Sequence, residues 1–506
     1  MARLDEYASA ENATTDAAGV SSASTTASFG NKIVNGVIWT AVEIWGQQIA
    51  LFTVFVVLAR LLGPEAIGLA VLAMMIPMIL SVPVIKGIPD AIVQRQVIEP
   101  MHLDSAFWLL ISVGAGLSAL AWLLAEPAAM LFRHPQLVDL VHWTSLIVVI
   151  QSLASVPTAI LKRRMDFRVL ATRTLVGTTL GGVTGIAMAI EGYGVWSLIG
   201  MQLVKVGTET LVLLLASDWR PHRRYSHRHN QELFGFAAPI IGSSLWSLVN
   251  DELPKSALGA FLGPAAVGVY ALARRPLELL TNVLLNPLAG VAMPSVSRMQ
   301  KDPEAVDRFY DRTVRIAGLV GFPSFMGLAA IAPEAVPLVL GPEWSSSVPA
   351  IQIIMLLGLV RTIDSICAGI VLGLGHSRLI LYLNIAYTVL LGALLFVGAQ
   401  ISLEATMLAI VACNVLLLPV LLFYTRRFTG VDVLKPLVSF PALALSTVIM
   451  VSAVIGWRDL MGPVLPVWAL VVSAILVGVA IYGSAAVALL RRDLTDAREV
   501  VARMSL

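Results

Sequence analysis

The chain has 506 residues, of which 58% are hydrophobic and 13% are charged, and its formal net charge at pH 7 is +2. Soluble domains carry about 25% charged residues and nucleic-acid-binding proteins show a strongly basic surface, so this composition argues against a soluble enzyme and against a nucleic-acid partner. The mean hydropathy of +0.84 is typical of a chain that crosses a lipid bilayer many times.

The amino-terminal stretch is rich in Ala, Ser and Thr and carries the acidic residues Asp5, Glu6, Glu11 and Asp16. A signal peptide needs a basic start followed by an apolar run, and this stretch has neither. We therefore expect residues 1–30 to form a disordered cytoplasmic tail.

The rest of the chain is filled by apolar runs of about the 20 residues that a helix needs to cross the hydrocarbon core. The pattern predicts an all-α membrane protein with about 14 transmembrane helices. The predicted helices are Val37–Ala59, Ile67–Gly87, Ala106–Ala125, Leu137–Pro157, Thr174–Ile190, Val195–Ala216, Phe236–Leu262, Ala266–Gly290, Val314–Pro333, Val348–Gly373, Leu379–Gly398, Ala405–Tyr424, Leu437–Gly456 and Leu465–Leu489.

The basic residues indicate how these helices are oriented, because cytoplasmic loops are enriched in Lys and Arg. Alternate loops hold about 26 of the 34 Lys and Arg residues on one side, whereas Arg60, Arg133 and Arg458 fall on the other side. We expect a multi-pass protein of the bacterial inner membrane with both termini in the cytoplasm. All loops are short, which leaves no room for a soluble catalytic domain, so we expect no enzyme activity, no catalytic residues and no cofactor.

An internal repeat indicates two similar halves. The segment LARLLGPEAIGLAVLA at 58–73 aligns without gaps to LGAFLGPAAVGVYALA at 258–273, with eight of sixteen positions identical. Because each unit holds an even number of six helices, the repeats should be parallel. We expect an N-lobe at 31–216, a C-lobe at 217–425, two extra helices at 426–490 and a cytoplasmic tail at 491–506.

Ionisable residues within the predicted helices are the candidate functional residues, because charges at bilayer depth are costly and usually functional. Spacings of three or four residues favour the pairs Lys205–Glu209, Asp251–Lys255, Arg274–Glu278 and Arg361–Asp364. The candidates for substrate binding are Arg275, Arg274, Arg361, Lys255 and Lys205, and those for coupling or gating are Glu43, Asp251, Glu252 and Asp364. The alternative is that each pair neutralises itself and only holds helices together. Arg275 has no partner at an ideal spacing, so we expect it to face water or an anion.

The cysteines and histidines are the residue types that could form a disulfide or a metal site. Cys367 and Cys413 lie in apolar segments without motif spacing, which indicates neither a disulfide nor a metal centre. The run containing His222, His227 and His229 is typical of a solvated loop. We therefore predict no metal site.

Five stretches carry a resemblance to a known family: VNGVIWTAVEIWGQQIALFTVFVVLARLLGPEAIGL, DAIVQRQ, FLGPAAVGVYALARRPLELL, VAMPSVSRMQ and LGPEWSSSVPAIQIIMLLGLVR. With these stretches, the chain resembles the Wzx-type oligosaccharide flippases of the polysaccharide transporter family, and in particular its colanic-acid-exporter-like branch. These proteins are related by fold to the multidrug and toxin extruders (MATE).

The resemblance implies a MATE-like fold and the translocation of undecaprenyl-diphosphate-linked oligosaccharide units by alternating access, for exopolysaccharide or lipopolysaccharide synthesis. The implied partners are the lipid-linked oligosaccharide, membrane lipids, and polysaccharide polymerase and export machinery. Relatives carry Asp and Arg late in the helix that corresponds to Phe236–Leu262, where this chain has Pro254 and Ala260. The arginine in their following helix corresponds to Arg275. The alternatives are a drug or metabolite exporter on the same fold, and a membrane-embedded polymerase or glycosyltransferase.

Overall fold

The computed structural model describes the backbone of residues 2–433, 435–436 and 440–489, with the side chains of the first helix from Trp39 onwards except at 41, 42 and 44. The helices are α1 (Ala2–Ile85), α2 (Ile88–Gln94), α3 (Pro100–Leu123), α4 (Ala125–Phe132), α5 (Leu137–Arg163), α6 (Phe167–Ile190), α7 (Trp196–Ala216), α8 (His227–Phe261), α9 (Pro264–Leu280), α10 (Asn286–Arg298), α11 (Pro303–Leu340), α12 (Val348–Gly373), α13 (Ser377–Ile401), α14 (Leu403–Thr429), α15 (Phe440–Met461) and α16 (Val467–Leu489). A π-helical turn at Thr281–Leu285 joins α9 to α10, and a 3-10 helix at Pro342–Ser347 precedes α12.

Two predictions fall at the chain ends. The helix assignment of α1 starts at Ala2 and takes in the predicted tail 1–30, but that stretch precedes the first described side chain, so disorder there stays a prediction. The predicted tail 491–506 lies outside the described residues.

The described part of the chain contains thirteen apolar helical stretches long enough to cross a membrane. One of them, Trp45–Gln94, is 50 residues long, more than twice the length that a single span needs. It contains Gly63, whose backbone angles (φ 72°, ψ 177°) are not helical. Because this break divides the stretch into two spans, the structure agrees with the predicted total of about 14 transmembrane helices.

The chain divides into two compact units. The first contains Met1–Leu58, Ala73–Ala128 and Gln136–Leu248, and the second contains Ala59–Leu72, Ala129–Pro135 and Val249–Leu506. The first turns of α8 pack within the first unit. Leu233 and Ala237 of α8 join an apolar cluster formed by residues of α2, α3 and α5.

A short piece of α1 belongs to the second unit for a similar reason. The indole Nε1 of Trp344 donates to the Ala59 carbonyl oxygen at 2.9 Å, and Arg60 Nε donates to the Val339 carbonyl oxygen at 2.7 Å. Val339 lies in the last turn of α11, where carbonyl groups lack helical partners and a positive charge is favourable. The segment 59–72 is therefore tied to the end of α11.

The two copies of the repeated motif form the same turn. Gly63 and Gly263 have φ of 72° and 84° with ψ near 180°, a conformation that only glycine adopts readily. Pro64 and Pro264 follow, and proline is well suited to the first helical position because it has no N–H to leave unpaired. The same backbone geometry at an offset of 200 residues supports the internal repeat.

The motif copies also lie against each other within the second unit. A Cβ atom at Gly68 would lie 1.7 Å from the Pro264 carbonyl oxygen, and a Cβ atom at Gly268 would lie 2.0 Å from the Pro64 carbonyl oxygen. Both distances are shorter than any real contact, so the two helices approach this closely only because neither residue has a side chain. The contact is reciprocal, as expected of repeats related by an approximate two-fold axis.

The two extra helices, α15 and α16, pack on α11. Pro323 of α11 has no N–H and so leaves the Leu319 carbonyl without its helical donor, and the Tyr482 hydroxyl of α16 donates to that oxygen at 2.8 Å. On α15, Arg458 donates to the Ala330 carbonyl oxygen at 2.7 Å and forms an ion pair with Glu334. The extra helices thus bind α11 where prolines disturb its backbone hydrogen bonding.

Candidate functional site: charge clusters in the membrane helices

The most tightly paired cluster lies in the second unit, between α8 and α9. Arg274 NH2 lies 2.7 Å from Asp251 Oδ1 on α8, and Arg274 Nε lies 2.9 Å from Glu278 Oε1 one turn further along α9. Arg274 NH1 also donates to the Tyr270 hydroxyl at 3.1 Å. The predicted Arg274–Glu278 pair is confirmed, and each nitrogen of the guanidinium group has a partner among these three side chains.

The predicted Asp251–Lys255 pair is wrong. Lys255 Nζ instead lies 2.6 Å from Glu252 Oε1, three residues back on the same helix. Glu252 is buried, with a side chain only 3% exposed, so the lysine neutralises the more deeply placed carboxylate. Asp251 points to α9 and is half exposed. Neither Lys255 nor Arg274 has its charge free for a ligand.

Arg275 is exposed on α9, about 100° around the helix from Arg274. Arg275 does have an interaction partner, so the expectation of an unpaired arginine is wrong.

The predicted cation Arg361 lies on α12. It is half-buried, and its Nε atom is buried with no hydrogen-bond partner. The predicted partner, Asp364, lies within electrostatic range, but the structure shows no direct ion pair between Arg361 and a described carboxylate. A guanidinium N–H that is buried and unpaired is costly, so this position is suited to receive an acceptor from a ligand.

A second cluster lies in the first unit and contains Glu43 of α1, Arg173 of α6, and Lys205 and Glu209 of α7. Glu209 interacts electrostatically with the other three residues, and all four are half-buried. Among the described residues their charges meet no opposite charge at ion-pair distance. The predicted Lys205–Glu209 spacing therefore places the two groups near each other without direct contact.

Threonine hydroxyls hold two members of this cluster. The Thr174 hydroxyl donates to Glu43 Oε1 at 2.9 Å, and Arg173 NH1 donates to the Thr158 hydroxyl at 3.3 Å. Arg173 is not among the predicted site residues, because the predicted helix starts at Thr174 and leaves the arginine in the preceding loop. The helix in fact begins at Phe167, where Asp166 accepts a hydrogen bond from the Val169 amide as an N-cap, and this cap is the signal that would have placed Arg173 inside the helix.

Fourteen apolar helical spans in the described part of the chain, an internal repeat and charges within the spans are the features of a multi-pass membrane protein. Two solved structures share the fold. A structure titled as the lipid II flippase MurJ in an inward closed conformation matches 91% of this chain and 100% of its own, with a TM-score of 0.73 and 14% identity. An inward-facing multidrug resistance MATE family transporter of the MOP superfamily matches 78% of this chain and 98% of its own, with a TM-score of 0.61 and 16% identity. The expected MATE-like fold is confirmed.

The family described as polysaccharide biosynthesis protein matches residues 57–349, and the chain belongs to this family. The succinoglycan biosynthesis transport protein ExoT of Rhizobium meliloti is 25% identical over 64% of this chain and 66% of its own length. The lipopolysaccharide biosynthesis protein WzxC of Escherichia coli is 24% identical over 73% of this chain and 76% of its own. The resemblance to Wzx-type flippases is confirmed, and the alignment covers just under two thirds of the first of these relatives.

Proposed function

We propose that this protein moves undecaprenyl-diphosphate-linked oligosaccharide units across the bacterial inner membrane, for the assembly of an exopolysaccharide or lipopolysaccharide, by alternating access. Membership of the polysaccharide biosynthesis family and the similarity to a succinoglycan transport protein support this function over drug export. Loops are also short: between α7 and α8, residues 217–226 form a loop of only ten residues. That supports a transporter rather than a polymerase or glycosyltransferase.

The buried Nε–H group of Arg361, which has no acceptor, supports a diphosphate-containing substrate. A diphosphate offers oxygen acceptors that match the planar guanidinium group. Arg361 Nε is one of four buried arginine Nε atoms without an acceptor among the described residues, and it is the one that belongs to a predicted substrate-binding residue. Arg274 is a weaker candidate, because Asp251 and Glu278 already occupy its donors. Arg275, which is exposed on α9, is the second candidate for contact with the substrate.

The basic loops favour cytoplasmic termini, so the lipid-linked unit would be loaded on the cytoplasmic side, where sugar nucleotides are made. A polysaccharide polymerase would then take the unit on the opposite side. Ligand binding can drive the change between inward and outward states only if the contacts differ between them. The half-buried, unpaired Arg361 is a group whose hydrogen bonding would change on loading.

The test measures polymer yield in a producing strain that lacks its own exporter, together with the abundance of the protein in the membrane. Arg361→Ala and Arg275→Ala should abolish export at normal abundance. Lysine at either position should restore the charge but not the bidentate geometry, and so should rescue export only in part. Arg378→Ala is the matched control, because Arg378 is exposed at the start of α13, and it should export normally.

Normal export by both alanine variants at normal abundance would remove these arginines from the substrate path. Wild-type protein that fails to restore polymer but raises the resistance of the strain to toxic cations would instead support a drug exporter.

A further inference from the structure

A cluster of histidines and carboxylates lies in the first unit, where α3 and α8 begin. Glu99 is the N-cap residue of α3 and His102 lies in its first turn, while His229 lies in the first turn of α8. The two imidazole rings meet edge to face with their centroids 4.5 Å apart. One ligand atom from each of Glu99, His102 and His229 can be chosen so that all lie within 4.8 Å of one another.

The outer hydrogen bonds determine which ring nitrogens face inward. His102 Nε2 lies 3.3 Å from Glu232 Oε2, and Glu232 is held in place by Arg95 and Arg228. His229 Nδ1 lies 2.7 Å from the Ser226 hydroxyl. These contacts leave His102 Nδ1 and His229 Nε2 as the two nitrogens that are not bound to an outer acceptor.

Both remaining nitrogens converge on Glu99. His229 Nε2 lies 3.3 Å from Glu99 Oε2, and His102 Nδ1 accepts the Glu99 backbone N–H at 3.2 Å. Two ligands of a tetrahedral zinc ion with bonds of about 2.0–2.1 Å lie about 3.3 Å apart. The separation of the His229 nitrogen and the Glu99 oxygen is therefore already that of two ligands on one ion.

We propose that Glu99, His102 and His229 bind a divalent transition-metal ion of the zinc class. Two imidazoles and one carboxylate are a donor set that zinc uses with a water molecule in the fourth position. The ion would take the place of the hydrogen bond from the Glu99 amide to His102 Nδ1.

The surroundings support a metal rather than a simple hydrogen-bonded cluster. A histidine that binds a metal almost always donates its other ring N–H to a carboxylate or another oxygen, which fixes the orientation of the ring. Both histidines have such a partner, Glu232 for one and Ser226 for the other. His102 is only 2% exposed, whereas the Glu99 side chain is 62% exposed, so an ion can reach the site from the surface of the unit.

The three histidines of the predicted loop do not form a site among themselves. His222 lies beside the buried Asp104, with its Nδ1 atom 3.7 Å from Oδ2, and the His227 Nε2 atom lies 3.0 Å from Gln231 Nε2. Only His229 reaches the cluster, and its partners come from α3, more than 120 residues earlier in the chain. A metal here would tie the start of α8 to the start of α3.

The experiment uses the full-length protein purified in detergent with an affinity tag that contains no histidine. After treatment with a chelator and desalting, one equivalent of Zn²⁺ is added, and bound zinc and the melting temperature are measured. The variants are Glu99→Gln and His229→Ala in the proposed site and Ser226→Ala beside it. His227→Ala is the control, because His227 is exposed and lies two residues from His229 in the first turn of α8.

We expect the wild type and His227→Ala to bind about one zinc per chain and to melt at a higher temperature with zinc. Glu99→Gln and His229→Ala should lose this binding while melting like the wild type without zinc. Ser226→Ala should keep the stoichiometry but weaken the affinity by about 10- to 100-fold. The proposal is overturned if the wild type retains no zinc, or if Glu99→Gln and His229→Ala bind it as the wild type does; the cluster would then be held by hydrogen bonds alone, or zinc would bind surface histidines elsewhere.

Discussion

The two units hold their membrane-embedded charges in different ways. In the second unit, Arg274 and Lys255 form direct ion pairs of 2.6 to 2.9 Å with neighbouring carboxylates. In the first unit, Glu43 and Arg173 are held by threonine hydroxyls. Charges that are already paired contribute mainly to helix packing, whereas charges held by hydroxyls can exchange their partners for a ligand or an ion. We therefore expect Arg274 and Lys255 to stabilise the packing of α8 and α9, and the first-unit cluster to respond to its surroundings.

The strongest test of this comparison removes the only arginine from the first-unit cluster. Arg173→Ala leaves Lys205 facing two half-buried carboxylates, and an uncompensated negative charge in a partly desolvated position is costly. We expect a large loss of membrane abundance and of thermal stability in detergent. Adding Glu209→Gln should restore abundance by removing the excess negative charge. If Arg173→Ala is as stable as the wild type, the cluster is more hydrated than its burial indicates.

A smaller effect is expected from the glycine that lets Glu209 enter this cluster. A Cβ atom at Gly177 of α6 would lie 2.5 Å from Glu209 Cγ and 3.0 Å from the Lys205 carbonyl oxygen. Gly177→Ala should therefore push α7 away or displace Glu209, at a cost of about 1–3 kcal/mol. Gly207→Ala on α7 is the control, since nothing lies within 4 Å of a Cβ atom there, and it should be neutral or slightly stabilising. Equal melting temperatures for the two variants would argue against close packing of α6 on α7.

The smallest effect is expected in the second unit. Asp251→Asn leaves Arg274 paired with Glu278, and the Asp251 side chain is half exposed, so the variant should lose about 1 kcal/mol or less. A double-mutant cycle with Arg274→Gln measures the coupling between the two residues by thermal unfolding. A coupling larger than the loss caused by Arg173→Ala would reverse the comparison between the two units.

Helix boundaries show how far local patterns reach. The start and end of the predicted helix Val348–Gly373 agree with α12, because apolar runs of this length are a strong local signal. The helix predicted at Val314–Pro333 is instead Pro303–Leu340. Asp302 caps its start, and Pro333 lies inside it because the carbonyl that it leaves free, at Ala329, accepts from Gln352 of α12 at 3.2 Å. The local sequence predicts that a helix ends at proline, but a side chain of a neighbouring helix can supply the missing hydrogen-bond donor.

Among the candidate site residues, the outcome depends on whether the partner lies on the same helix. Arg274–Glu278 could be predicted because residues four apart share one helix face. Asp251 instead pairs with Arg274 on a different helix, and Lys255 pairs with Glu252. Arg173 was missed because its membership of the buried cluster depends on α1 and α7, which are distant in the sequence.

The sequence by itself determined the membrane class, the number of spans, the repeat and the family, because hydrophobic length, turn residues and local spacing are properties of short segments. Only the tertiary structure decided which charges pair, which arginines keep a buried Nε–H without an acceptor, and which histidine on α8 meets Glu99 and His102 at the start of α3. These outcomes depend on which faces of separate helices come into contact. A charged residue pairs with a residue on another helix when that residue lies closer or is more deeply buried than the partner on its own helix. The spacing of residues along one helix does not show which residues of other helices lie nearby.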